Sequence, residues 1–274
     1  MDVRSLPVLV TGANSGIGLA ATVELARRGH RTVASARSAE RVDDLLEAAD
    51  RAGVHVEARV LDVTDATAAK ELVADVDPYA VVNAAGYTNM GAVEDVGDDE
   101  ARHHLETMVL APVRMARLAL PGMRARGDGR IVTVSSILGM MGTPLMGWYD
   151  GAKHAIEALH DAMRVEVRSS GVRVTLVDPG AIRTPIYAKA WAELADREPS
   201  RYETAYHRWT AITRTLLPVF TPPERVGRVV ADVIASPNPP ARRYVGFGAP
   251  IVPLAYHLTP PGARDALLRL LFGL

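Results

Sequence analysis

Pro7-Val8-Leu9-Val10 runs straight into Thr11-Gly12-Ala13-Asn14-Ser15-Gly16-Ile17-Gly18, and the residues from Leu19 to Arg28 that follow are helical in pattern. An apolar strand, a glycine-rich turn and the first turn of a helix, in that order, leave few alternatives. The first N–H groups of a helix have no intrahelical acceptor, and the helix dipole favours an anion beside them. Glycines let a phosphate come into contact with the backbone. The segment is therefore read as a phosphate-receiving turn, although an ordinary strand-to-helix connection can share its composition. Its spacing is Thr-Gly-x-x-x-Gly-x-Gly, not the G-x-G-x-x-G of the general dinucleotide fingerprint.

Short β-branched runs alternate with amphipathic stretches along the chain, the signature of a parallel sheet covered on both faces. The pattern predicts strands near 7–11, 31–36, 54–60, 79–83, 129–135, 172–178 and 242–247. It predicts helices over 17–28, 39–51, 65–74, 99–125, 148–169 and 223–236. Residues 186–220 read as a helical lid inserted after the sixth strand, and about 250–274 as a C-terminal extension. With no internal repeat and no composition break, the expected class is α/β. A single Rossmann-type, doubly wound domain would span 1–274 around a seven-stranded parallel sheet.

Charge is nearly balanced, with 31 basic and 32 acidic residues, so nothing points to a nucleic-acid partner. There is no cysteine. That excludes disulfides, thiol nucleophiles and cysteine-ligated metals, and it suits a reducing compartment. The first strand starts within a few residues of Met1, which leaves no room for a signal peptide. No apolar run approaches the roughly 18 residues of a membrane-spanning helix. The expectation is a cytoplasmic, enzyme-sized domain without a metal site.

Tyr149 and Lys153 stand four residues apart, with Ser135-Ser136 upstream. On a helix, i and i+4 place phenol and ammonium on one face. A neighbouring cation favours phenolate, which brings proton exchange closer to neutral pH than a free phenol's pKa of about 10. Taken singly, Tyr149 also fits a core aromatic and the serine pair a plain loop start.

Together these residues resemble the classical short-chain dehydrogenase/reductase family. The resemblance runs in order through the glycine turn, Leu61-Asp62-Val63, Asn83-Ala84-Ala85-Gly86, Ser136, the Tyr149/Lys153 pair and Pro179-Gly180-Ala181-Ile182-Arg183-Thr184. It covers about the first 185 residues and weakens beyond them. It implies hydride transfer between a nicotinamide and a carbonyl carbon. Tyr149 would be the acid in reduction and the base in oxidation, and Lys153 would lower its pKa and hold the nicotinamide ribose. Ser136 would polarise the substrate oxygen. The resemblance assigns Thr11, Gly12, Asn14, Ser15, Gly16, Ile17 and Gly18 to the cofactor, with Asp62 and Val63 at the adenine. Asn83, Ala84, Ala85 and Gly86 would line the cofactor, as would Pro179, Gly180, Ile182 and Thr184. Asp62 fits equally well as a turn residue ahead of Thr64.

The second strand ends Ala34-Ser35-Ala36-Arg37-Ser38. An acid there holds an adenosine 2′-hydroxyl, whereas an arginine accommodates a 2′-phosphate. The resemblance puts Ala36 where NAD-preferring members carry aspartate, with Arg37 directly after it. The guanidinium would pair with a phosphate as a charge-assisted fork. NADP(H) is the expected cofactor and NAD(H) the alternative, a solvated loop arginine being the plain reading of Arg37.

One position departs from the family. Met108 fills the slot of an asparagine that, in many members, bends the helix and holds a water relaying protons to the lysine. A thioether cannot do this. Thr107 is the nearest polar substitute, and Pro112 still removes a backbone N–H.

Of the 14 aromatic residues, 12 fall from Trp148 onward. Leu138 and Met146 follow Ser136, while Tyr187 and Trp191 are spaced like one face of a lid helix. These four are the candidate contacts for a lipophilic alcohol or ketone, and core packing of the lid explains them as well. The apolar run from Ala266 to Phe272 is similar in style to the tails of hydroxysteroid and retinol dehydrogenases. It reads as a lid, a subunit contact or, third, a membrane-surface helix. The family resemblance also implies a homodimer or homotetramer built partly on the helix of Tyr149. The rival readings are a non-catalytic NADP(H)-binding sensor or regulatory protein and a short-chain-type epimerase or dehydratase.

Overall fold

The computed structural model describes residues 5–197, 199–249 and 251–274. Its strands are β1 (Val8–Thr11), β2 (Thr32–Ala36), β3 (Glu57–Val60), β4 (Ala80–Asn83), β5 (Gly129–Val134), β6 (Val172–Pro179) and β7 (Arg242–Val245). They form one parallel sheet in the order β3-β2-β1-β4-β5-β6-β7. Every residue of β1, β2 and β4 is buried, as strands covered on both faces require.

Side-chain alternation splits the interior into two cores. Leu9, Val33, Val81 and Ile131 point to the face covered by α3 (Ala66–Val76), α5 (Ala111–Arg126) and α6 (Gly147–Glu166). Val8, Val10, Ala34 and Val82 point to the other face, under α1 (Gly16–Arg27), α2 (Ala39–Arg51) and α9 (Pro223–Ala235). The chain leaves β1 towards β2 and returns to place β4 on the other side. In such sheets this switch opens a crevice at the carboxyl ends of the strands. Thr11 and Asn83, paired in register, mark its floor.

The helix predicted over 99–125 is broken. It runs as α4 (Asp98–Leu105), gives way to a π-helical turn over Glu106–Leu110, and resumes as α5. Pro112 has no N–H to donate to the Met108 carbonyl, and the widened turn absorbs that loss. Smaller differences occur at element ends. β3 begins at Glu57, β7 ends at Val245, and α6 ends at Glu166 before a 3-10 turn over Arg168–Ser170.

The lid region forms α7 (Ile186–Asp196) and α8 (Glu203–Leu216), and the tail forms α10 (Ile251–Leu258) and α11 (Pro261–Phe272). The expected extension began about residue 250, which itself lies outside the described residues. Leu145, Leu194, Tyr206, Trp209 and Phe272 build a satellite core beneath these helices. Among the described residues no helix is long and apolar enough to cross a membrane.

Candidate active site

α1 starts differently from its neighbours. Ser38 and Asp65 cap the first turns of α2 and α3 through their side-chain oxygens. Ser15, in the same position on α1, makes no side-chain cap, and the first turn carries no acid. The leading amides of α1 are thus open to an anion. Gly12 and Gly16 adopt φ of +64° and +56°, which favour glycine. A Cβ on Gly12 would fall 2.5 Å from the Ala85 Cα, and one on Gly18 would fall 2.2 Å from the Gly12 carbonyl oxygen. Thr11 Oγ1 accepts from the amides of Ala84 and Ala85 at 3.3 and 3.4 Å, tying the turn to the end of β4. Thr184 reaches back against Gly16, with a Cβ there at 3.4 Å. Asn14 is half-buried within the turn, and Ile17 packs into the second core. Open amides without intruding side chains fit a pyrophosphate.

At the far end of the crevice Ala36 is buried, and Arg37 is exposed with no ion pair among the described residues. Asp62 Oδ1 accepts from Thr64 N at 2.9 Å and Thr64 Oγ1 at 2.7 Å. Those bonds hold its carboxyl below the usual carboxylate range. Val63 is buried, and its carbonyl accepts from Arg114 at 3.0 Å.

Asn83 behaves differently from the residues after it. Its side-chain amide donates to the Pro112 carbonyl at 3.3 Å and to Thr133 Oγ1 at 3.1 Å, and Thr133 Oγ1 lies 2.8 Å from His160 Nε2. The side chain therefore fastens the end of β4 to the start of α5, leaving Ala84, Ala85 and Gly86 to face the crevice. A Cβ on Gly86 would fall 2.8 Å from Met108 Sδ, the end of a flexible side chain that can give way. Gly180 is more tightly constrained, with the Phe247 carbonyl in the place a Cβ would take. Ile182 is buried in the second core.

Ser136, Tyr149 and Lys153 converge beside the switch point. Ser136 opens the 3-10 turn Ile137–Met140, its Oγ accepting from Leu138 N at 3.1 Å, so its proton remains free to donate. Lys153 Nζ donates to the Val134 carbonyl at 2.9 Å and lies 5.6 Å from the centre of the Tyr149 ring. Burial pushes the Tyr149 phenol above its ordinary pKa, with Ser136 pulling the other way. Burial lowers Lys153 to about 8, opposed by the carboxylate of Asp178. Desolvation is the dominant influence on Tyr149, and it favours the protonated phenol, able to donate.

Side chains that carried no signal in the sequence surround this trio. Asp178 is wholly buried, neither carboxylate oxygen has a hydrogen-bond partner, and burial lifts its pKa to about 7. Arg242 on β7 lies 3.7 Å from Asp178 and pairs with Glu157 and Asp161 on α6, strapping α6 to the sheet. Asp150 accepts from Thr143 N and Oγ1 at 2.6 and 2.8 Å, fixing the loop ahead of α6. In that loop Leu145 sits at φ +69°, a conformation that costs a bulky residue about 1–3 kcal/mol. It is held by burial in the satellite core and by the Gly91 amide, which donates to its carbonyl at 2.9 Å.

The four candidate substrate contacts separate. Tyr187 comes close enough to Tyr149 to raise its pKa slightly further. Leu138 is half-buried in the 3-10 turn after Ser136. Trp191 donates to Thr213 Oγ1 at 2.9 Å and, with Met146 and Tyr187 itself, packs against the satellite core. Among the described residues no group of His, Asp and Glu is placed to hold a metal ion.

The short chain dehydrogenase family profile matches residues 7–195. An uncharacterized oxidoreductase of Bacillus subtilis strain 168, YusZ, is 29% identical over 270 residues, covering 95% of this chain and 96% of its own. An NADPH-dependent 3-dehydrocapnine reductase of Ornithobacterium rhinotracheale is 27% identical over 270 residues, 94% of each chain. The crystal structure of an actinorhodin polyketide ketoreductase variant with NADPH superposes with a TM-score of 0.76 at 30% identity, covering 88% of this chain and 95% of that one. With the glycine turn, the sheet order and the Ser136–Tyr149–Lys153 convergence, the match places this chain in the short-chain dehydrogenase family, as one of its oxidoreductases.

Proposed function

We propose that the protein interconverts a ketone and a secondary alcohol with NADP(H), the substrate being lipophilic. The observation that carries this reading is the convergence of Ser136, Tyr149 and Lys153 next to an uncapped helix N-terminus whose glycines admit a pyrophosphate. The actinorhodin ketoreductase acts on a ketone by name, and both it and the 3-dehydrocapnine reductase are named with NADPH, which supports the reaction type and the cofactor.

When bound, the nicotinamide supplies the hydride. The Ser136 hydroxyl donates to the substrate carbonyl oxygen and draws charge onto it. Tyr149, kept neutral by burial, gives its phenolic proton to that oxygen as the alkoxide forms. Lys153 would hold a ribose hydroxyl and steady the resulting phenolate. Thr11, the α1 amides and Thr184 would hold the cofactor. Arg37, with no ion pair among the described residues and no acid at Ala36, would receive the 2′-phosphate. Tyr187 and Leu138 face the substrate, while the satellite core behind them sets the shape of its pocket.

α6 exposes Gly151, Ala158, Leu159, Ala162 and Val165, with His154 and Glu166 among them, a mainly apolar face that supports pairing with a second copy. The test is a fluorescence titration with NADPH and NADH, followed by absorbance of the reduced nicotinamide on adding long-chain ketones. NADPH should bind more tightly and be consumed only with ketone. Arg37→Asp should weaken NADPH about 10–100-fold, the worth of one charged hydrogen-bonding pair, and leave NADH nearly unchanged. An unaltered preference in that variant overturns the cofactor assignment.

A further inference from the structure

His104 lies in the last turn of α4, immediately before the π-helical turn. Its ring is fully enclosed, and neither nitrogen has a hydrogen-bond partner among the described residues. It meets Tyr87 edge-on, ring centres 5.0 Å apart at 85°, and lies 6.3 Å from the Tyr149 ring at 43°. Lys153 on α6 and His103 on its own helix act on its charge. His103 is exposed and lies 6.1 Å from Tyr87. The titratable groups facing His104 are therefore Tyr87 from the segment after β4, Tyr149 and Lys153 from α6, and His103.

An unpaired buried polar group costs about 1–3 kcal/mol, and leucine would fill this cage without that loss. As a packing residue, then, His104 is a poor choice. An imidazole with one free donor and one free acceptor is suited to another task, taking up a proton at one nitrogen while releasing one from the other. Tyr149 lies on one side of it, and on the other Tyr87, whose ring also lies 6.1 Å from that of the exposed His103. Met108, one turn further along the same helix, is buried with its thioether against Gly86 and has no proton to offer.

We propose that His104 relays protons between the Tyr149–Lys153 pair and the surface at His103, an inference that rests on the reductase reading above. After Tyr149 has given its proton to the substrate oxygen, it is left as phenolate. The His104 N–H returns a proton to that phenolate through one water, and its second nitrogen takes a replacement from solvent by way of His103. Each turnover thus draws one proton from solvent, and no electrons pass through the ring. Burial lowers the imidazole pKa to about 4, so the ring is neutral at working pH and keeps one nitrogen as an acceptor.

The experiment is steady-state ketone reduction by the intact enzyme with NADPH, across pH and in light and heavy water, for the unaltered protein, His104→Leu and His104→Gln. Reduction by the unaltered protein tests the reductase reading alone, and its absence overturns that reading together with the relay. With turnover established, His104→Leu should lower kcat about tenfold, less than the 10²–10⁴ of a group acting directly. The solvent isotope effect should grow, KM and NADPH affinity should stay unchanged, and Tm should match or exceed that of the unaltered enzyme. His104→Gln keeps a donor and an acceptor but cannot pass a proton between them, so it should be as slow as leucine. It also carries the test should His104→Leu fold poorly. Full turnover in His104→Gln, or unchanged kcat and isotope effect in His104→Leu, overturns the relay.

Discussion

The sheet with its glycine turn and the C-terminal pair of helices bury their apolar residues to opposite degrees. β1, β2 and β4 expose nothing, whereas Ile251, Leu258 and Leu270 in α10 and α11 are 72, 74 and 77% exposed. In the first region backbone lies against backbone, as at Gly12 and Gly18, and no side chain can be exchanged there without moving the crevice. In the second, Phe272 and Leu268 anchor α11 to the satellite core, and the Tyr256 hydroxyl bonds to Gly142 in the loop after Ser136. Pro253 is buried as well, while Ile251, Leu254, Leu258, Leu267 and Leu270 stay largely exposed. One region fixes the chemistry, and the other offers a surface.

That contrast can be broken most sharply at Tyr149. Tyr149→Phe should lose about 10²–10⁴ in turnover while binding NADPH as before in a fluorescence titration. A variant as active as the parent would place the proton donor elsewhere and leave the sheet edge a scaffold only. Asp150, at the seam between the regions, should show the next largest effect. Burial lifts its carboxyl to about 7 from an ordinary 3.8. Between those values the folded protein holds a proton that the unfolded chain has released, so stability falls as pH rises from about 4 to 7 and is level above. Asp178 acts in the same direction. Asp150→Asn should shrink the drop in unfolding free energy between pH 4 and pH 8 by at least about 1.4 kcal/mol, the equivalent of one pKa unit. Denaturant melts at the two pH values measure it, and an unchanged slope would mean a solvated carboxylate. The smallest effect belongs to the tail. Leu258→Gln with Leu270→Gln should keep unfolding free energy within about 0.5 kcal/mol of the parent, as exposed substitutions do. Sedimentation should show weaker self-association. A collapse in stability would make the tail part of the monomer's core and erase the contrast.

The legible parts were those that repeat a local rule. Seven strands could be placed because parallel strands buried on both faces must be short β-branched runs, and the glycine turn because only glycine tolerates its contacts. Boundaries slipped where a neighbour decided them, as at β3, where Glu57 is the first residue paired with β2. The break in the helix predicted over 99–125 was half visible. Pro112 announced the missing N–H, but nothing local said that a π-turn would absorb it. Asn83 was placed correctly in the chain, yet its amide turned towards Pro112 and Thr133, whose positions depend on α5 and β5. Tyr187, Trp191 and Met146 all pack against the satellite core, because α7, α8 and α11 need an interior of their own. His104, Asp150 and Asp178 left no mark at all. Each looks ordinary for its element, and only burial, a property of the assembled molecule, makes its polar atoms significant.

The strand order also carries a consequence for how the protein is made. The glycine turn is synthesised first, but Ala85, the floor beneath Gly12, lies 74 residues after Thr11, and Thr184, which closes over Gly16, comes much later still. At about 5–20 residues per second, Thr184 follows Gly16 off the ribosome after roughly 10–30 s. Within that interval the uncapped helix end gains its floor with Ala85, then Tyr149, and only last its roof with Thr184. The crevice is therefore complete only late in synthesis, long after the turn that opens it.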